Sequence, residues 1–265
     1  MLIDKLVAVA RRDLLTTVRY RGGLLVHIAG MLADIAGAYF LARAIGSGFR
    51  PDGVDYFSFL LVGTGVAQML LVAISTFVLA IQEAQVTGTM EVLMTTSTRP
   101  FVIVLLGATS AFMGRVVSLA LYLSVGVFVF RAPVQHPNLL TFLIVLVLAI
   151  ATSVALGILA AAVQIILQKG SAVVWLFGSV VWLFSGVIFP VGVLPQPFRA
   201  VAEAIPVTHA MNGLRMALLR GASLTDVAGP VLVLCGFALV LVPASLWAFS
   251  AALNHGRRAG TLSFY

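Results

Sequence analysis

The sequence predicts an all-α membrane protein with six transmembrane helices, on the basis of its composition and the grouping of its apolar residues. Hydrophobic residues make up 61% of the 265 positions, charged residues only 9%, and the mean hydropathy is +1.12. A soluble domain carries about 25% charged residues, so this composition excludes a cytosolic enzyme or a disordered tail. The single cysteine, Cys235, excludes a disulfide-stabilised secreted module.

Six apolar stretches are long enough to cross a bilayer, whose core of about 30 Å needs about 20 residues per helix. No connection between them is long enough to hold a soluble domain, so residues 1–265 are expected to form a single transmembrane domain. The stretches are 24–44, 57–81, 103–130, 139–167, 171–189 and 230–253.

Residues 1–21 are expected to form an amphipathic helix that lies in the membrane interface. Basic residues interrupt this segment, so it has no continuous apolar region like that of a cleaved signal peptide. When the segment is drawn as a helix, its basic residues lie largely away from one apolar face. An ordinary solvent-facing helix is the alternative. The apolar face consists of Ile3, Val7, Ala10, Leu14 and Val18.

The basic residues predict the orientation of the chain. The net charge is +7 and the pI about 10.3, which would suggest nucleic acid in a soluble protein. Here the basic residues flank apolar stretches, which indicates contact with anionic lipid head groups and no nucleic-acid partner. An inside N-terminus places nine of them on the inner side and six on the outer side. An even number of spans then gives two cytoplasmic termini in a multi-pass protein, expected in a bacterial inner membrane.

The connection 82–100 has the pattern of a short helix that lies across the cytosolic surface. Val86, Met90, Leu93 and Met94 fall on one helical face, and Gly88 permits a sharp turn before them. Such a helix is suited to docking against another protein. Periodicity alone leaves open a helical connection without any partner.

The connection 186–220 combines helix-breaking prolines with large apolar residues. Irregular backbone is tolerated at membrane depth only where protein or a water-filled cavity surrounds it. Residues 190–220 are therefore expected to form short re-entrant pieces that dip back from the outer face, with an ordinary outer loop as the alternative. The prolines are Pro190, Pro195, Pro197 and Pro206.

Both connections resemble those of type-2 ABC transporter permeases. Residues 88–93 (Gly-Thr-Met-Glu-Val-Leu), with Thr95, Thr96 and Pro100, resemble the G-T-x-E-x-L…T…P stretch of this family. Residues 189–215 resemble its F-P…L-P…R…P-x-T-H…R region. The resemblance extends over essentially the whole chain, and the pattern is most similar to that of drug- and antibiotic-exporting permeases, followed by polysaccharide and lipid exporters.

The resemblance implies an N-terminal amphipathic helix, a cytosolic coupling helix between spans two and three, and re-entrant helices before span six. It also implies two ABC ATPase subunits per complex and a second permease, which is either another copy or a homologue. The sequence itself lacks the phosphate-binding pattern G-x-x-x-x-G-K-[ST], and its lysines are Lys5 and Lys169. No cofactor is expected on this chain, and ATP and Mg²⁺ are expected on the partner subunit.

The resemblance also implies roles for three groups of residues. An apolar cavity with a few polar groups suits an amphipathic or lipid-like cargo, and spans two and five are implied to line it where they meet at the dimer axis. The coupling residues are Glu83, Gly88, Thr89, Glu91 and Leu93; the cavity residues are Gln68, Met69, Ser75, Phe177, Val181 and Phe184; the outer gate residues are Pro190, Pro195, Pro206, His209 and Arg215.

Two charges, Asp34 and Arg115, lie inside predicted spans. A charge at the centre of a transmembrane helix costs about 2.5–3.5 kcal/mol on insertion scales, so these two are candidates for a functional role. They are expected to pair or to line a polar part of the pathway. Alternatively, Arg115 extends towards the inner head groups. The four histidines have no metal-ligand spacing, and no metal site is predicted.

The expected function is that of a permease subunit of an ATP-driven exporter, without enzymatic activity of its own. The alternative is an ion-gradient-driven secondary transporter, suggested by Asp34 and the broken helix before span six. An intramembrane enzyme acting on lipid would need polar residues that converge at one depth, and the polar residues of this sequence are too scattered along the chain for that.

Overall fold

The structure is a computed structural model that describes residues 21–46, 48–88, 100–134 and 137–259. Within these ranges the fold is all-helical, with eight α-helices and no strand. Residues 1–20 of the predicted amphipathic helix (1–21) and residues 89–99 of the predicted coupling helix (82–100) lie outside the described residues. The helices are α1 (Arg21–Ile45), α2 (Tyr56–Val86), α3 (Pro100–Phe128), α4 (Leu139–Leu167), α5 (Gly170–Phe184), α6 (Gln196–Glu203), α7 (Pro206–Leu219) and α8 (Ala228–Ala259), with 3-10 turns at Pro51–Gly53 and Val191–Val193.

Four helices in the described part of the chain are long and apolar enough to cross a membrane: α1, α2, α4 and α8. They correspond to predicted spans one, two, four and six. Predicted span three coincides with α3, whose apolar part within the described side chains is Gly114–Phe128. Predicted span five coincides with α5, which has 15 residues. Four of the predicted spans are thus helices of sufficient length and apolarity, and the count of six spans stays a prediction.

Helix α5 ends before the predicted boundary at residue 189 because the backbone leaves the helix at Ser185. The next residue, Gly186, has a φ of +72°, a value that L side chains rarely adopt. Fifteen residues at about 1.5 Å each extend about 22 Å, which is shorter than the bilayer core.

The other helix ends follow from local capping. Asp55 accepts a hydrogen bond from the Ser58 amide (3.1 Å) at the start of α2. Asn138 does the same for the Thr141 amide (3.1 Å) at the start of α4. Helix α2 ends at Val86 and is capped by Thr87, and the next residue, Gly88, has a φ of +69° that gives the turn predicted there.

Helix α2 is the central element of the bundle. Of its most apolar stretch, 76% is buried inside the chain, whereas only 11% is buried for α1 and for α8. We call the two ends of the bundle the Tyr56 end and the Gly88 end, after the two ends of α2. Near the Gly88 end, Phe77 and Ile81 of α2 pack against Ile165 of α4 and Phe249 of α8.

Helices α1 and α8 expose apolar faces, as expected of helices that contact lipid. The most exposed residues on these two helices include Leu25, Val26, Leu239 and Trp247.

Aromatic rings cluster at the Tyr56 end. Tyr39 packs edge-on against Phe57 with ring centroids 5.3 Å apart, and the Arg43 guanidinium lies 5.1 Å from the centre of the Tyr39 ring. Such aromatic residues are typical of the membrane–water interface.

Candidate functional site

Helices α1, α2 and α3 line an open cavity of about 290 Å³ near the middle of their length, which we call the intramembrane cavity. Its apolar lining includes Met31, Met69 and Leu119. Its polar lining comes from all three helices and consists of His27, Asp34, Gln68, Arg115, Ser118 and Tyr122.

Hydrogen bonds fix several of these polar groups. Gln68 Nε2 donates to Asp34 Oδ2 at 3.0 Å and joins α2 to α1. The His27 ring nitrogen Nε2 lies 3.3 Å from Ser118 Oγ and joins α1 to α3. Asp34 and Arg115 line the same cavity, but no ion pair joins them within the described residues. The geometry therefore favours the second part of the hypothesis, in which both charges line a polar region.

The predicted cavity residues are divided between two places. Gln68 and Met69 line the intramembrane cavity, while the other four do not. Ser75 Oγ donates to the Val72 carbonyl on its own helix at 3.1 Å.

The three predicted cavity residues on α5 share one helix face and contact different neighbours. Phe177 packs against the cluster around Ile74, and Val181 is buried in the main core. Phe184 stacks on Phe198 of α6 with ring centroids 6.1 Å apart.

Sequence reasoning missed three members of the intramembrane cavity: His27, Ser118 and Tyr122. The available signal was position along the helix, since polar residues at comparable depth in neighbouring spans can meet. The structure brings together polar residues that are scattered along the chain.

Arg215 forms a buried set of polar contacts at the Tyr56 end. It is only 6% exposed, and its guanidinium lies 3.4 Å from the centre of the Phe59 ring. Nη1 donates to the Gly186 carbonyl at 2.6 Å, and Nη2 donates to the Val187 carbonyl at 2.8 Å and the Phe59 carbonyl at 3.1 Å. We call these four residues the Arg215 clamp, which joins α7 to α2 and to the turn after α5.

The clamp holds a positive charge at neutral pH. Burial lowers the pKa of the Arg215 guanidinium to about 9, and the nearby carboxylate of Asp52 opposes this shift. A pKa of about 9 still leaves the group protonated at pH 7. The charge strengthens the three hydrogen bonds to carbonyl oxygens.

A second cavity of about 380 Å³ lies beside the clamp and contains three of the predicted gate residues, Pro190, His209 and Arg215. His209 Nε2 lies 2.8 Å from the Glu203 carbonyl oxygen. Of the other two gate prolines, Pro195 immediately precedes α6 and Pro206 is the first residue of α7. At the start of a helix the amide that proline lacks would have no partner within the helix, so its absence removes no hydrogen bond.

At the Gly88 end, two buried glutamines face each other. Gln164 Nε2 of α4 donates to Gln85 Oε1 of α2 at 3.1 Å, and both side chains are fully buried. Gln85 Nε2 and Gln164 Oε1 find no partner in the part of the chain that the structure describes. This pair lies two residues from the predicted coupling residue Glu83, which is exposed.

Of the other coupling residues, Gly88 forms the described turn. Thr89, Glu91 and Leu93 lie outside the described residues. Over the described ranges, no group of three His, Cys, Asp or Glu side chains is arranged to hold a metal ion.

The sequence profile of ABC-2 type transporters matches residues 6–219. The chain belongs to the ABC-2 type transporter family. Comparison with curated protein sequences gives no match. The ABC-2 match extends over α1 to α7 and therefore includes the intramembrane cavity, the Arg215 clamp and all residues of the second cavity except Arg220 and Pro230. An ABC-2 chain is the membrane permease component of an ABC transporter, which associates with ABC ATPase subunits and carries no ATPase site itself.

Proposed function

We propose that this chain is the transmembrane subunit of an ATP-driven exporter. Its cargo is hydrophobic or amphipathic, such as a drug, an antibiotic or a lipid-like molecule, and two ABC ATPase subunits supply the energy. The observation that carries the proposal is the ABC-2 match over residues 6–219 in a chain with long apolar helices. The missing phosphate-binding pattern in the sequence supports a separate motor, which would hold ATP and Mg²⁺.

In this proposal α3 and α5 complete a set of six spans, and both termini lie in the cytoplasm of a bacterial cell. The complex contains a second permease, either another copy or a homologue. Helices α6 and α7, with 8 and 14 residues, are too short to cross a bilayer core of about 30 Å, as expected of helices that re-enter from the outer face.

Force transmission is proposed to follow α2. ATP-driven closure of the motor subunits moves the coupling helix at 82–100, to which Glu83, Gly88, Thr89, Glu91 and Leu93 belong. Helix α2 is continuous for 31 residues from there to the Tyr56 end, where the Arg215 clamp holds it. Rigid motion of such a helix would reach the outer gate, formed by Pro190, Pro195, Pro206, His209 and Arg215.

Co-expression of the chain with an ABC ATPase tests the proposal. The wild-type permease should co-purify with the ATPase and stimulate its ATP hydrolysis. Reversing the charge of one coupling residue with Glu91→Arg should abolish stimulation and export. The matched control is Asp226→Arg, at an exposed position before α8 that lines neither cavity.

Two outcomes contradict the proposal. If Glu91→Arg leaves both stimulation and export intact, residues 82–100 have no coupling role. If the purified chain alone transports cargo under a proton or sodium gradient, it is a secondary transporter. That alternative would use Asp34, which lies in the intramembrane cavity.

A further inference from the structure

The charges of the intramembrane cavity lie deep in the membrane region. Along its own helix, each of Asp34, Gln68 and Arg115 lies about 16–20 Å from the terminus at the Tyr56 end, at about 1.5 Å per residue. That distance is close to the midplane of a bilayer core of about 30 Å. Charges at this depth are costly and mark binding sites or pathways.

The two opposite charges do not neutralise each other. One oxygen of Asp34 accepts the hydrogen bond from Gln68, and the described residues provide no partner for its other oxygen or for the Arg115 guanidinium. The cavity thus offers one anion and one cation, separated by more than ion-pair distance. A ligand with a single charge would satisfy only one of them.

The size of the cavity and its surroundings indicate a head group with an apolar tail. At about 290 Å³ the cavity is at the lower limit for a drug-sized ligand, so it suits part of an amphiphile. The cavity borders exposed apolar surface, since Val26, which lines it, is 74% exposed. This surface would contact the tail.

We propose that the intramembrane cavity binds the head group of a zwitterionic amphiphile. The Asp34 carboxylate binds its ammonium group, and the Arg115 guanidinium binds its phosphate or carboxylate group. His27 and Ser118, linked at 3.3 Å, complete the polar wall. This inference rests on the proposed function and extends it by naming the head group of the cargo.

Retention of lipids by the purified full-length permease in a neutral detergent tests the site. The probes are phosphatidylethanolamine, phosphatidylglycerol and diacylglycerol with identical acyl chains, quantified together by native mass spectrometry. The retention of phosphatidylethanolamine should exceed that of diacylglycerol by about tenfold, since a charge-assisted hydrogen bond raises the affinity by at least that factor. Ratios within one sample do not depend on the fraction of protein that is folded.

Asp34→Asn should lower the retention of phosphatidylethanolamine to that of phosphatidylglycerol, because the ammonium group loses its partner. Arg115→Gln should lower the retention of both phospholipids towards that of diacylglycerol, because their phosphate group loses its partner. The matched controls, Asp226→Asn and Arg50→Gln, change the same residue types at exposed positions that line neither cavity, and should leave the ratios unchanged. Equal retention of the three probes by the wild type, or equal effects of cavity and control variants, would overturn the proposal.

The ligand chemistry has two sources, a resident bilayer lipid or the transported cargo. To distinguish the two sources, export of a single-tailed zwitterionic amphiphile is measured in cells that produce the complete transporter. Asp34→Asn should reduce this export if the site binds cargo and leave it unchanged if the site holds a resident lipid. The retention assay uses the permease without ATP or ATPase, so failure of coupling to a motor does not affect it.

Discussion

Gly63 of α2 lies directly against the guanidinium of Arg215 from α7. A Cβ atom at this position would collide with Arg215 Nη2 and approach the Val187 carbonyl oxygen to 2.6 Å. The absence of a side chain at Gly63 is therefore what allows the guanidinium to reach the Phe59 carbonyl. The clamp requires both residues, although they are far apart in the sequence.

Gly63→Ala is expected to destabilise the permease by about 2 kcal/mol, because overpacking a filled site costs about 1–3 kcal/mol. Thermal unfolding of the detergent-purified chain measures this as a lower Tm. The matched control is Gly178→Ala in the middle of α5, where a Cβ meets no atom within 4 Å. The control should be neutral or slightly stabilising, since alanine favours the helix. Equal Tm values for both variants would contradict this account of Gly63.

Arg215→Lys is expected to lower the stability by about 2 kcal/mol, since an ammonium group cannot reproduce the planar fork that donates to three carbonyl oxygens. Arg220→Lys is the control, because Arg220 is exposed just after the same helix. Thermal unfolding compares the two variants. A loss of stability of the same size in the control would show that the clamp contributes little.

The apolar stretches predicted most of the long helices because hydrophobic length is a property of local sequence. The end of α5 was misplaced because Ser185 to Phe189 are apolar enough to continue a span, and the departure depends on Gly186 and its contacts with Arg215. A contact between residues 29 positions apart leaves no local pattern.

The candidate site was predicted in part for the same reason. Asp34 and Arg115 can be predicted from the sequence because they are charges inside apolar stretches, and Gln68 can be predicted from the family resemblance. The hydrogen bond between Gln68 and Asp34 joins two helices, and only the packing of α1 on α2 creates it. His27 and Ser118 are ordinary in sequence and become notable through their 3.3 Å approach.

The Ser223 amide is expected to lose protection from hydrogen exchange at acidic pH. Asp226 accepts hydrogen bonds from the Ser223 amide (2.8 Å) and hydroxyl (2.6 Å), and these bonds lower the pKa of the Asp226 carboxyl below its usual value. Because the folded-state pKa is below the unfolded value of about 3.9, this contribution is present above that value. It is lost as the pH falls through the folded-state pKa.

Hydrogen exchange followed by mass spectrometry, corrected for intrinsic rates between pH 6 and about 2, measures the effect. Asp226→Asn should make the protection of Ser223 independent of pH. The internal control is the Thr141 amide, which is capped by the uncharged Asn138 at 3.1 Å. A parallel loss of protection at Ser223 and Thr141 would indicate general unfolding and contradict the role of Asp226.

For the buried glutamine pair at the Gly88 end, either single substitution is expected to lower the stability, and adding the second substitution is expected to restore most of it. Gln85→Leu or Gln164→Leu alone should destabilise the chain by about 1–3 kcal/mol, because each leaves a buried amide without its partner. The double variant should recover most of this loss, since two apolar side chains need no partner, and thermal unfolding of all four proteins measures the coupling. Additive losses would show that the two amides do not interact. A double variant that is stable yet fails to stimulate the ATPase would show that the polar pair serves the motion of α2 rather than the fold.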